Sequence, residues 1–84
     1  MLTIHYFASI REALKSNEEH FELPSHVSNV GDLIDHLLQL HPHFEVVFRR
    51  DKKVLVAVNQ TVVASTHTLT AGDEIAFFPP MTGG

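Results

Sequence analysis

From Leu2 to Ala8 apolar and polar positions alternate. Leu2, Ile4 and Tyr6 fall on one face, and Thr3, His5 and Phe7 on the other. A period of two predicts a half-buried strand over 2–8. Ser9 followed by Glu12 has the spacing of a capping box, which predicts a short helix over about 10–15. Asn17 and the acidic residues after it form a turn. Residues 19–23 read as a second short strand, with Phe21 and Leu23 on one side and Pro24 ending it.

The period then changes. Val30, Leu33, Ile34, Leu37 and Leu38 follow i, i+3, i+4, i+7, i+8 spacing, the single apolar stripe of an amphipathic helix. Asn29 is suited to cap it, with Asp32 in the favourable first turn, and Pro42 stops it at about His41. Each stripe residue that is fully buried contributes roughly 1.5–3 kcal/mol, so this helix dominates the domain's stability. Residues 43–53 fit either a short helical turn or an irregular strand. Val54-Leu-Val-Ala-Val58 is a continuous, largely β-branched run, predicted as a central strand covered on both faces. Asn59-Gln60 turns into a short partner strand over 61–64. Ala71-Gly72-Asp73 marks a tight turn with Gly72 at positive φ, and Glu74 to Phe78 is the last strand. One sheet of about five strands with one main helix laid across it buries the stripe and one sheet face together. This is an α+β chain with a β-grasp layout.

Size and composition narrow the function. The chain has 84 residues, room for one small domain, read as a body over 1–78 and a thin extended tail over 79–84. It has no Cys, which excludes disulfides, zinc–thiolate sites and a cysteine nucleophile, and fits a reducing, cytoplasmic setting. Six basic residues against ten acidic ones give a net charge of −4, which argues against nucleic acid as a main partner and suits a basic protein surface. No apolar run approaches the roughly 20 residues of a membrane span. Arg11, Glu12 and Lys15 break any signal-peptide pattern near the start.

No side-chain active site emerges. The seven His lack metal-ligand spacing: His36 and His41 are five apart and do not share a helix face, so no metal is expected. No serine sits in a nucleophile elbow, and no glycine-rich phosphate loop exists. The C-terminus is different. Gly83-Gly84 has no side chains and is free to enter a narrow channel, and Pro79-Pro80 directs the chain outward. From Pro79 to Gly84 such a tail reaches about 20 Å. Its α-carboxylate, once activated by ATP as an acyl-adenylate, is open to attack by a nucleophile.

The segment Ala57-Val-Asn-Gln-Thr-Val-Val63 and the ending Leu69-Thr-Ala-Gly-Asp-Glu-Ile-Ala-Phe-Phe-Pro-Pro-Met-Thr-Gly-Gly84 closely resemble the small subunits of molybdopterin synthases, the MoaD-type sulfur carriers of the ubiquitin-like β-grasp class. Tyr6-Phe-Ala-Ser-Ile-Arg-Glu12 is similar to that family as well. The resemblance implies that Gly84 is adenylated by an E1-like adenylyltransferase using ATP, with no cofactor bound to the carrier itself. A sulfur donor protein then completes a thiocarboxylate. The tail, including Pro79, Pro80, Met81, Thr82 and Gly83, would enter the large subunit, and the sulfur would pass to cyclic pyranopterin monophosphate. Two carriers and a large-subunit dimer would form a heterotetramer. The chain would thus donate sulfur within an enzyme complex without an active site of its own.

The residues add two expectations about docking. If Ile75 and Phe77 face the helix, Phe78 points outward beside the tail root, as a partner anchor or packed on its own outer sheet face. Arg11 either assists docking or is simply solvated. Other readings are a sulfur carrier for thiamine thiazole or tRNA thiolation, a ubiquitin-like modifier joined to lysines, and a non-catalytic β-grasp interaction module with an inert tail. The Phe-Phe-Pro-Pro approach to the tail favours molybdopterin.

Overall fold

A computed structural model describes residues 1–48 and 54–80. The elements run in the order β1 (Leu2–Tyr6), α1 (Ala8–Leu14), β2 (Glu18–Phe21), α2 (Val30–Leu40), a 3-10 helix (Pro42–Val46), β3 (Leu55–Val58), β4 (Thr61–Val63) and β5 (Glu74–Phe78). The strands form one mixed five-stranded sheet of order β2-β1-β5-β3-β4. β1 and β5 pair in parallel at its centre, with Ile4 opposite Ile75 and Tyr6 opposite Phe77. The remaining neighbours are antiparallel. The expected β-grasp arrangement is therefore present, with a second, shorter helix beside the main one.

Alternation decides which face is covered. Leu2, Ile4 and Tyr6 of β1, Ile75 and Phe77 of β5, and Val56 and Val58 of β3 are all buried. They join Val30, Leu33 and Leu37 of α2, Ile10 and Leu14 of α1, and Phe44 in one core, with Ile34 and Leu38 packed at its margin. Tyr6 lies stacked on Phe77 at 6.0 Å and meets Phe44 edge-on at 5.6 Å. Burial first, then the hydrogen bond and charge of Glu19, push the Tyr6 phenol well above its ordinary value, so it stays a neutral donor to that carboxylate at 2.8 Å.

The main helix starts where its cap predicts. Asn29 Oδ1 accepts the Asp32 N–H at 2.8 Å, and Asp32 Oδ2 in turn accepts the Ser28 N–H at 3.0 Å. The loop after β4 supplies two more acceptors: His67 for the Val30 N–H and Ser65 for the Gly31 N–H. With Leu33 bonded to the Asn29 carbonyl, each of the first four helical N–H groups has a partner.

Several boundaries differ from the sequence reading. The capping box at Ser9 is not formed: α1 begins at Ala8, Phe7 is its N-cap, and no side chain caps it. The Phe7 carbonyl accepts from Ile10 and Arg11, while the Phe7 N–H donates to Phe77, so the strand's own pairing sets the helix start. β2 occupies Glu18–Phe21 rather than 19–23. Within 43–53 the segment to Val46 is a 3-10 helix opened by Pro42, and residues 49–53 lie outside the described residues. β3 is interior but not central, because β5 holds the centre. Val56 and Val58 of β3 face the core; on the other face Ala57 is buried while Leu55 is half-buried. Asn59 and Gln60 both take positive φ, as a tight two-residue hairpin turn requires. Gly72 sits at φ +92°, as expected.

Candidate functional site

β5 leads into residues 79–84, which the sequence suggests as a tail. Phe78 is the last residue of β5, in register with Leu55 of β3. Pro79 and Pro80 follow; lacking N–H groups, they donate nothing to a continued ladder, and the strand ends there. Because β5 is the central strand, the chain leaves from the middle of one sheet end rather than from an edge. Met81, Thr82, Gly83 and Gly84 lie outside the described residues.

The face of the sheet opposite the helices carries the other half of β5. Phe78 is half-buried there, and Ala76 lies in register with both Ala57 and His5. Val62, opposite Ala57 on β4, is 62% exposed. Phe7 continues β1 beside the end of β5 and is 48% exposed, held by its N–H bond to the Phe77 carbonyl at 3.1 Å. Phe7, Phe78, Leu55 and Val62 thus form an apolar surface around the tail root that no described element covers. Arg11 is exposed on α1, and its N–H bonds to the Phe7 carbonyl one helical turn back. The sequence singles out Phe78 and Arg11; Phe7 and Val62 join Phe78 on this face only in the structure. The alternation of β1 already placed Phe7 with Thr3 and His5. The missing fact was that β1 lies next to β5.

The apolar surface has a polar border. The His5 ring sits between two carboxylates, with Nδ1 3.3 Å from Glu18 and Nε2 3.3 Å from Glu74. His20 also contacts Glu18. At the far end of β5, Asp73 is buried and accepts from the Asn59 amide at 3.0 Å and the Thr70 N–H at 2.8 Å. Burial alone would raise its carboxyl. The bonds from Thr70 and Asn59, with the charge of His67, outweigh burial and hold it below the ordinary carboxylate value. These groups fix the turn and strand start. None is arranged as a nucleophile with its base, and among the described residues no three His, Asp or Glu side chains converge as a metal site.

The sequence matches the ThiS family over residues 4–84. The chain belongs to the ThiS family. Within and around it, this ThiS-family chain is 38% identical to the molybdopterin synthase sulfur carrier subunit of Escherichia coli, over all of both chains. It superposes on the crystal structure of the small archaeal modifier protein SAMP1 of Haloferax volcanii with a TM-score of 0.78 and 32% identity, covering 99% of this chain and 98% of that one. It also shares its fold with a chain in the protein–protein complex of subunits 1 and 2 of the Helicobacter pylori molybdopterin-converting factor, at a TM-score of 0.65, 18% identity and coverage of 99% and 97%. The resemblance read from the sequence therefore holds over the whole chain. No helix among the described residues is long and apolar enough to cross a membrane.

Proposed function

We propose that this chain is the sulfur-carrier subunit of a cytoplasmic molybdopterin synthase. The observation that carries this reading is the full-length 38% identity to the E. coli carrier subunit. The geometry of the described residues agrees with it: a rigid central strand, a proline-directed exit and an apolar surface around that exit.

The Gly84 carboxylate attacks the α-phosphorus of ATP on an E1-like adenylyltransferase, releasing pyrophosphate and leaving an acyl-adenylate. A donor protein's persulfide attacks the Gly84 carbonyl and displaces AMP, and a thiol reductant cleaves the resulting acyl disulfide, leaving the thiocarboxylate and a disulfide. The body, residues 1–78, docks on the synthase large subunit through Phe78, Phe7 and Arg11. The tail, residues 79–84, then delivers sulfur to cyclic pyranopterin monophosphate, and two carriers serve a large-subunit dimer. ATP belongs to the activating enzyme, and the carrier needs no bound cofactor or metal. Ordering the tail costs about 1–2 kcal/mol per residue, offset by partner contacts and reduced by the stiffness of Pro79-Pro80.

Intact-mass measurement tests the reading. Incubated with the activating enzyme, ATP and a sulfur donor, the chain gains about 16 Da as one oxygen becomes sulfur. It loses that mass again on adding the large subunit and the pterin precursor. An unchanged mass in the first step means an inert interaction module. The likeness to a small archaeal modifier protein supports a second reading, attachment to lysines, which gives conjugates of higher mass in the same experiment.

A further inference from the structure

His26 and His36 meet beside the main helix. His26 lies in the turn before α2 and His36 within the helix, yet His26 Nε2 is 3.2 Å from His36 Nδ1. The ring centroids are 5.1 Å apart and the planes are inclined at 59°. His5, His20 and His41 each contact a carboxylate, whereas these two rings contact each other. Both are held from behind. Val27, buried in the core, donates its N–H to the Pro24 carbonyl at 3.0 Å and closes the turn that carries His26. Ser28 is tied to Asp32 of α2 through its N–H at 3.0 Å and its hydroxyl at 2.8 Å. The His36 ring is half-buried against Phe21, with centroids 5.5 Å apart, and His26 is exposed.

We propose that His26 Nε2 and His36 Nδ1 form a surface site for a divalent transition-metal ion. Distance is the first argument. Two nitrogens that ligate one ion at about 2.0–2.1 Å lie about 2.9–3.4 Å apart, for ligand angles from square to tetrahedral. The observed 3.2 Å falls inside that span, so one ion fits without changing the separation of the pair. Chemistry is the second. Each ring keeps its proton on the remote nitrogen, His26 Nδ1 and His36 Nε2, and turns a lone pair to the ion. The ion thus takes the place of the one proton that the facing nitrogens otherwise share. Water completes the coordination, because no three His, Asp or Glu side chains converge among the described residues. Charge is the third. Asp32 lies one helical turn before His36, where its carboxylate adds negative charge near the ion. Imidazole suits zinc, nickel and copper(II), with copper held most tightly, while magnesium requires oxygen ligands. A separation of ten residues, from a turn to a helix, carries no local ligand pattern, so the spacing of the His residues pointed to no metal. None of these residues belongs to the C-terminal segment or to the apolar surface around Phe78, so the site stands whether or not the carrier reading does.

Calorimetry of the full chain with zinc, nickel or copper(II) chloride tests the site, with magnesium chloride as the control. Thermal unfolding is followed beside it. The expected result is one ion per chain, copper bound most tightly and no binding of magnesium. Zinc should raise the melting temperature, because only the folded chain presents the two nitrogens together. His26→Ala and His36→Leu should each lower zinc affinity by about tenfold or more and reduce that rise. His5→Ala and His43→Ala should change neither. Circular dichroism checks that each variant folds; His26 is exposed, so His26→Ala decides the matter if His36→Leu disturbs the packing on Phe21. Zinc binding by the wild-type chain no tighter than by the double variant overturns the site. Binding that survives His26→Ala but is lost with His5→Ala or His43→Ala places the ion on other histidines and overturns it equally.

Discussion

Phe77 and Phe78 are neighbours in β5 that serve opposite faces of one sheet: Phe77 is fully buried against Tyr6 and Phe48, and Phe78 is half-buried beside Leu55 on the uncovered side. The same aromatic group therefore has two different consequences one residue apart. Phe77→Ala removes a ring from the core and should cost about 3–5 kcal/mol of stability, measured by urea denaturation. Phe78→Ala should leave the fold standing and weaken large-subunit binding by about 1 kcal/mol or more. Unchanged binding by calorimetry would remove Phe78 from the interface.

Phe7 should behave as Phe78 does. Its side chain is exposed while its backbone N–H holds the sheet, so Phe7→Ala keeps that bond. We expect a folded variant with large-subunit affinity reduced by about 1 kcal/mol or more. A variant that binds normally would confine docking to the β5 side.

Deleting Gly84 should abolish sulfur transfer with little change in thermal unfolding, because a glycine at the end of the sequence has no side chain to bury. A clear fall in melting temperature would contradict the division into body and tail.

The buried Asp73 carboxylate links stability to acid. Its carboxyl is lower in the folded chain than in the unfolded one, where it titrates near about 3.9. The stabilisation is thus complete above that unfolded value and is lost as pH falls through the folded one. Asp73→Ala should cost about 1–3 kcal/mol at pH 7 by removing bonds to Asn59 and Thr70. The gap from wild type should narrow on moving well below the carboxylate range. Denaturation curves at neutral and acid pH that differ by a constant amount would rule the linkage out.

Gly72→Ala isolates backbone strain. Gly72 sits at φ +92°, and a Cβ there would meet no atom within 4 Å. The loss, about 1 kcal/mol or more, comes from conformation rather than clash. An unaltered melting temperature would show that the turn accommodates an L side chain.

The parts of this molecule legible in the sequence are local ones. The apolar stripe of α2 and its Asn29 cap lie within a few residues of each other, so periodicity and capping found both. The Gly72 turn and the end of β5 at Pro79 follow from the φ each residue permits. Where the sequence reading departed from the structure, a distant partner intervened. Ser9 has the right spacing for a cap, yet the pairing of Phe7 with Phe77 starts the helix earlier. The apolar run of β3 suggested a strand covered on both faces; on its outer side Ala57 is buried but Leu55 is only half-buried.

The order of covalent bonds alone specified a chain ending in two glycines behind two prolines, with its reactive candidate on the main chain. That follows because side-chain absence and ring-locked φ are properties of single residues. Only the tertiary structure put β1 beside β5, and with it Phe7 beside Phe78. Those neighbours are separated by some seventy residues in sequence and meet through long-range strand pairing, which no local pattern encodes.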